Sequence, residues 1–362
     1  MHLFDRVAFR DLTLANRIIV SPMCQYSSRD GFASDWHLVH VGSRAIGGAS
    51  LVFTEATAVT AEGRISPHDL GIWCDDHIEM LSRIVRFVRG QGSAAGMQLA
   101  HSGRKGSTIR PWEGQGALSP ADGGWQPVGP SDEAFAANYP VPRPLTVDEM
   151  AGVVAAFRDA ARRVLTAGFD VLEIHAAHGY LIHEFLSPLV NHRNDAYGGS
   201  FDNRVRLCLE IVEAVRRVWP ERLPLFLRLS CTDWVAGGWD IEQSVELARR
   251  LSRRGVDLID CSSGGTVPYA EIPLAPGYQV PFAERIRRDA DIPTGAVGLI
   301  TTPKQADDIV CSGQADCVLL ARELLRDPYW PFHAAAALGH SISWPAQYLR
   351  AAPQEAPARQ SL

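Results

Sequence analysis

Phe169-Asp170-Val171-Leu172-Glu173-Ile174-His175-Ala176-Ala177-His178-Gly179-Tyr180 passes from apolar, branched residues straight into two imidazoles and a phenol. Residues 169–174 read as a buried strand and Gly179 marks a turn just beyond it, so the polar groups fall where a strand leaves the core. A lone histidine there would be read as a satisfied core residue. Three such groups at one strand end point to chemistry.

Outward from this run, seven others share its character: 18–23, 50–59, 95–101, 223–230, 256–262, 292–298 and 316–321. With 169–175 they make eight candidate strands, and helical patterns succeed them at 77–89, 200–218, 241–254, 282–289 and 303–311. Repeated strand-helix alternation predicts an α/β fold, a (β/α)8 TIM barrel. The runs are continuously apolar, as parallel strands covered on both faces should be. A doubly wound open sheet is the structural alternative, and no G-x-G-x-x-G succeeds the first strand to support it.

A single barrel of 1–362 accounts for the length of 362 residues. Two segments break the rhythm. Residues 1–17 read as an N-terminal β-hairpin that plugs the barrel bottom, and 102–147 as a Gly- and Pro-rich capping excursion after the third strand. The segment 345–362 reads as a C-terminal tail.

Hydrophobic content of 46%, charged content of 21% and a net charge of -6 describe a globular chain with no basic footprint for nucleic acid or anionic membrane. Seven scattered cysteines without C-x-x-C spacing argue against a disulfide framework or a zinc cage. No signal peptide or membrane span is legible, so a cytoplasmic location is expected.

Active sites of such barrels lie at the carboxyl ends of the strands. Those ends offer Ser21-Pro22-Met23-Cys24-Gln25-Tyr26, Glu55-Ala56, Gln98, His175, His178, Tyr180, Arg228, Val297-Gly298 and Ala321-Arg322. His175-x-x-His178 could hold zinc, but no third ligand of compatible spacing is evident. A glycosidase needs two opposed carboxylates, and Glu173 is expected to turn away from His175. Schiff-base chemistry is limited by the lysines, since Lys105 and Lys304 are the only two and neither is at a strand end. Arg228 and Gln98 suit a planar ring whose carbonyl end gains negative charge on reduction, and Gly298 with Arg322 suits a phosphate between the last two loops. Together these point to FMN.

The chain resembles the Old Yellow Enzyme family of FMN-dependent ene reductases, in its thermophilic-like, xenobiotic-reductase-like branch. Asn16-Arg17, Ser21 to Tyr26, Glu55 to Val59, Glu62 to Ile65, Gln98 to Lys105, His175 to Leu181, Asn191 to Arg204 and Leu324 to Pro328 carry the resemblance almost end to end. It implies that Ser21, Pro22, Met23 and Cys24 line the flavin, with Cys24 near N5 adjusting its redox behaviour. Ala56, Gln98 and Arg228 would hold the ring, while Val297, Gly298, Ala321 and Arg322 would complete the cofactor site. His175 and His178 would bind the carbonyl oxygen of an activated alkene, Tyr180 would protonate its alpha carbon, and Tyr26 would pack beside it.

NADPH, or NADH, would supply hydride. Gln347-Tyr348-Leu349-Arg350 resembles a segment in which an arginine reaches a neighbouring subunit's site, implying a homodimer or homotetramer with Arg350 as a substrate contact. The chain departs from the family's usual Gly-Arg with Ala321-Arg322. It also has Val297 where some relatives place a tryptophan, which implies a roomier pocket. The competing readings are a flavin-linked dehydrogenase oxidising an amine or thiol, and a flavin-binding protein without turnover.

Overall fold

The structure is a computed structural model and describes residues 1–353. Eight parallel strands close into a barrel: β1 (Ile18–Val20), β2 (Leu51–Ala58), β3 (Ala94–Ala100), β4 (Val171–Ala176), β5 (Leu225–Ser230), β6 (Leu258–Ser262), β7 (Thr294–Ala296) and β8 (Cys317–Leu320). β8 pairs with β1, so no sheet edge is left open. Every expected strand is present. The first is shorter than expected, because the chain leaves the sheet after Val20 and Met23 lies in the adjoining loop.

Alternation along each strand sorts the two hydrophobic clusters. Leu172, Ile174, Leu227, Leu229, Ile259 and Val318 face the ring of helices, while Val171, Phe226, Leu258 and Leu319 point into the barrel. The hairpin of Val7–Phe9 and Leu12–Leu14 caps the lower mouth. Its Phe9 meets Phe226 edge to face at 5.1 Å, and Leu14 joins the same cluster.

Helices Ile78–Gly90, Ile241–Ser252, Val280–Ala290 and Pro303–Cys311 match the sequence reading closely. The stretch 200–218 divides into Phe201–Arg204 and Arg206–Arg216 at Val205, a turn residue that keeps right-handed helical backbone angles. Two long helices were not among the expected elements. Asp35–Ile46 is capped by Ser34, whose backbone N–H donates to His37 Nδ1 at 2.9 Å; histidine replaces the Glu or Gln of the usual capping signature. Val147–Ala167 begins with a regular capping box from Thr146 and Glu149, a signal that was readable at the end of the long excursion.

That excursion is packed over the barrel mouth. It contains the short pair Val128–Gly129 and Arg143–Pro144. Trp125 Nε1 donates to the Glu62 carbonyl at 2.9 Å, and Trp112 lies edge-on to Tyr26 at 5.8 Å. The tail forms a 3-10 turn over Ala346–Ala351, and its remainder from 354 lies outside the described residues. No described helix is long and apolar enough to cross a membrane.

Candidate active site

β4 delivers His175 to the barrel mouth, and the chain then turns left-handed at His178, with φ 60°, and at Gly179, with φ 71°. A left-handed histidine costs about 1–2 kcal/mol, so its surroundings must over-determine it. Its backbone N–H donates to Ser230 Oγ at 2.9 Å, its carbonyl accepts from Lys105 Nζ at 2.9 Å, and its Nε2 lies 2.6 Å from Ser262 Oγ. The two imidazoles stand at 87° with centroids 5.0 Å apart, and the Tyr180 ring lies 5.1 Å from His175. The spacing that looked unusual in sequence is three rings at one turn.

Burial first, then the positive charge of Arg228, pushes both imidazoles well below the usual histidine range. They are therefore neutral near pH 7. The Ala177 N–H lies 3.3 Å from His175 Nδ1; an Nδ1 that accepts this bond leaves the ring hydrogen on Nε2. Burial, and next the neighbouring Cys24, pushes the Tyr180 phenol well above its usual value. Cys24 is raised as well, by burial and then by Asp69 and Glu55, and stays a thiol. Tyr26 is raised chiefly by burial and adopts a left-handed φ of 49° beside it.

Below the histidines lies a charged layer inside the barrel. Gln98 Nε2 donates to Glu173 Oε1 at 2.7 Å, Arg228 Nη2 donates to Ser21 Oγ at 2.9 Å, and Arg228 Nε faces Asp260 Oδ2 at 2.8 Å. Glu173 thus does not turn away from His175: residues two apart on a strand share a face, and both side chains point inward. Burial raises the Glu173 carboxyl, and repulsion from Asp260 adds to it, against the attraction of Arg228. Ala56 sits opposite Gln98 just after an irregularity in the register of β2 and β3.

A cavity of about 330 Å³ is lined by Ser21, Pro22, His178, Arg228, Val297, Gly298, Ala321 and Arg322. Most of the expected cofactor residues therefore meet in one place. At Gly298, φ is 113° and a Cβ would lie 2.7 Å from Gln279 Nε2, so the backbone is bare toward this cavity. Arg322, Arg326 and the first turn of Arg322–Arg326 make its outer end anion-seeking, and Arg228 brings a guanidinium to its lining from β5. These residues fit a phosphorylated, planar, electron-accepting group such as FMN.

A second cavity, of about 490 Å³, brings Tyr26 and Tyr180 together with Lys105, Phe135 and Tyr139 under the long excursion. Val297 lines the first cavity and is not among the lining residues of the second. Arg350 is exposed on the tail turn, near Tyr348, whose ring lies 6.3 Å from that of Tyr329. Sequence reasoning placed Ser262 at a strand end without giving it a role, and it set Lys105 aside. Lys105 holds the carbonyls of both His178 and Gly265, at 2.9 and 3.1 Å, with Nζ 5.3 Å from the Tyr180 ring centroid. Weighed only as a Schiff-base lysine, it was passed over for lying beyond the strand end, and nothing local marks it as a donor to these carbonyls.

A family model described as the NADH:flavin oxidoreductase / NADH oxidase family matches residues 2–340. An NADPH dehydrogenase of Geobacillus thermodenitrificans is 51% identical over 350 residues, covering 96% of this chain and 98% of that protein. Among solved structures, morphinone reductase in complex with tetrahydroNAD aligns with TM-score 0.78 at 28% identity, covering 95% and 93% of the two chains. The old yellow enzyme homologue from Zymomonas mobilis aligns with TM-score 0.77 at 27% identity and 93% of each. With the barrel, the charged layer and the bare anion-seeking cavity already in place, the chain belongs to the NADH:flavin oxidoreductase / NADH oxidase family and is an FMN-linked oxidoreductase.

Proposed function

We propose that this protein is an NADPH-dependent ene reductase that reduces the C=C bond of α,β-unsaturated carbonyl compounds. The observation that carries the reading is a buried and a half-buried imidazole, His175 and His178, set ring to ring beside the Tyr180 phenol, with burial disfavouring charge on all three. Bound FMN supplies the two-electron exchange between nicotinamide and alkene. Ser21, Pro22, Met23, Cys24, Ala56, Gln98 and Arg228 would hold its ring system. Val297, Gly298, Ala321 and Arg322 would hold its phosphate end.

The chain's own part is to bind an oxygen and to move one proton. Neutral His175 and His178 would donate hydrogen bonds to the substrate carbonyl, which gains negative charge as the double bond is reduced. Imidazolium ions would be stronger donors, but each would add a positive charge beside Arg228 that the site already disfavours. Tyr180 would give its proton to the alpha carbon, a task for which a phenol with no ionised fraction near pH 7 is suited. Tyr26 would pack beside the substrate, and Cys24 would touch the flavin as an uncharged thiol. Arg350, exposed on the tail, would enter a neighbouring subunit's site in a homodimer or homotetramer. NADH would be a possible second donor, and the cytoplasm the expected location.

Tyr180→Phe is expected to leave flavin reduction by NADPH intact and slow cyclohexenone turnover by about 10²–10⁴. Unchanged turnover of every enone tested would assign the proton to another acid. His175→Ala should lose about 10²–10³ in the oxidative half-reaction. Rapid turnover of an amine or thiol donor, with no reduction of enones, would favour the oxidative dehydrogenase instead.

A further inference from the structure

Asp307 and Cys311 lie one helical turn apart on Pro303–Cys311, facing the same side, and His2 of the N-terminal segment comes down between them. His2 Nδ1 lies 3.3 Å from Asp307 Oδ2 and 3.1 Å from Cys311 Sγ, and one ligand atom from each residue falls within 4.8 Å of the others. Zinc bonds of ~2.0–2.3 Å at tetrahedral angles require ligand atoms roughly 3.3–3.6 Å apart. The two measured separations are close to that spacing already.

We propose that His2, Asp307 and Cys311 form a binding site for a borderline divalent cation, zinc or cobalt(II), on the outer helical ring. One imidazole, one thiolate and one carboxylate select such ions over calcium or magnesium, which take oxygen donors. The ligands are aimed by bonds that leave their metal-facing atoms available. Asp307 Oδ1 accepts the Leu3 N–H at 2.7 Å, turning Oδ2 toward His2, and the His2 N–H donates to Asp5 Oδ2 at 2.7 Å. The next carboxylate along the helix, Asp308, is occupied by Lys304 at 2.6 Å. His2 and Cys311 are exposed, so ions have a path in and a fourth position is open to water.

The rival is a polar clasp that only fastens the N-terminal segment to the helix. Untagged, flavin-loaded protein treated with a chelator and then titrated calorimetrically with zinc separates the two. Expected are one zinc per chain at this site, proton release as the thiol ionises, and a sulfur neighbour at ~2.3 Å by X-ray absorption. His2→Ala and Cys311→Ser should each weaken binding by about tenfold or more, with flavin content and NADPH oxidation unchanged. Zinc that binds both variants as tightly as the parent, a first shell without sulfur, or no measurable zinc binding would each overturn the proposal.

Discussion

The two ends of this barrel are built from the same strands and do opposite work. Toward the lower mouth β4, β5 and β6 place Val171, Phe226 and Leu258 inward; two residues on they place Glu173, Arg228 and Asp260; two further on, His175, Ser230 and Ser262. The first layer joins the hairpin's Phe9 and Leu14 in an apolar plug, and the third forms hydrogen bonds around the candidate site. Strand periodicity is identical at both ends. What differs is the cost of each residue: an apolar plug is stable by itself, whereas the upper polar groups must hold one another or a ligand.

Truncating the plug should cost stability heavily while sparing the site. Phe226→Ala removes the ring against which both Phe9 and Phe53 pack, and should cost about 3–5 kcal/mol in chemical denaturation. A comparable loss from His175→Ala would erase the distinction between the ends. The middle layer belongs to both, and Arg228→Met tests this: leaving Asp260 buried without its cation should cost about 3–5 kcal/mol and also release FMN. Arg228→Met with Asp260→Asn should recover much of the stability while FMN binding stays weak. If FMN returned as well, Arg228 would be structural only.

At the upper end the expected losses are smaller. Ser230→Ala removes the acceptor for the His178 N–H and should cost about 1–3 kcal/mol, with turnover falling because His178 is no longer held left-handed. Wild-type turnover from such a variant would show that Lys105 and Ser262 suffice. Burial lowers Lys105 to about 8, so its charge is present at pH 7 and is lost as pH rises through that value. We expect kcat/KM for an enone to decline above about pH 8 and the decline to vanish in Lys105→Met. The sign for stability is the reverse: the unfolded lysine keeps its proton up to its ordinary value near ~10.4, so between the two values stability rises with pH. Opposite slopes for activity and stability would isolate this group.

Much of the barrel was legible because its information is local. An apolar run of strand length between turn residues declares itself, and so does the abrupt change at His175. Helix Asp35–Ile46 was not legible, because His37 stands in for the expected capping acid and further polar residues dilute its apolar face. In the site, the strand-end residues were readable from order alone. The ties that hold them were not: Lys105 reaches across 73 residues to His178, and Ser262 across 84.

The amino-acid sequence by itself determined eight strands, their order, and the residues each brings to its carboxyl end, since periodicity over a few residues dictates all three. Only the closed barrel decided that Glu173 shares an interior with Arg228 and Asp260, that neutral rather than charged imidazoles face the site, and that His2 meets Cys311 across 309 residues. Those facts depend on register between distant strands and on exclusion of water, and both exist only once the chain has closed on itself.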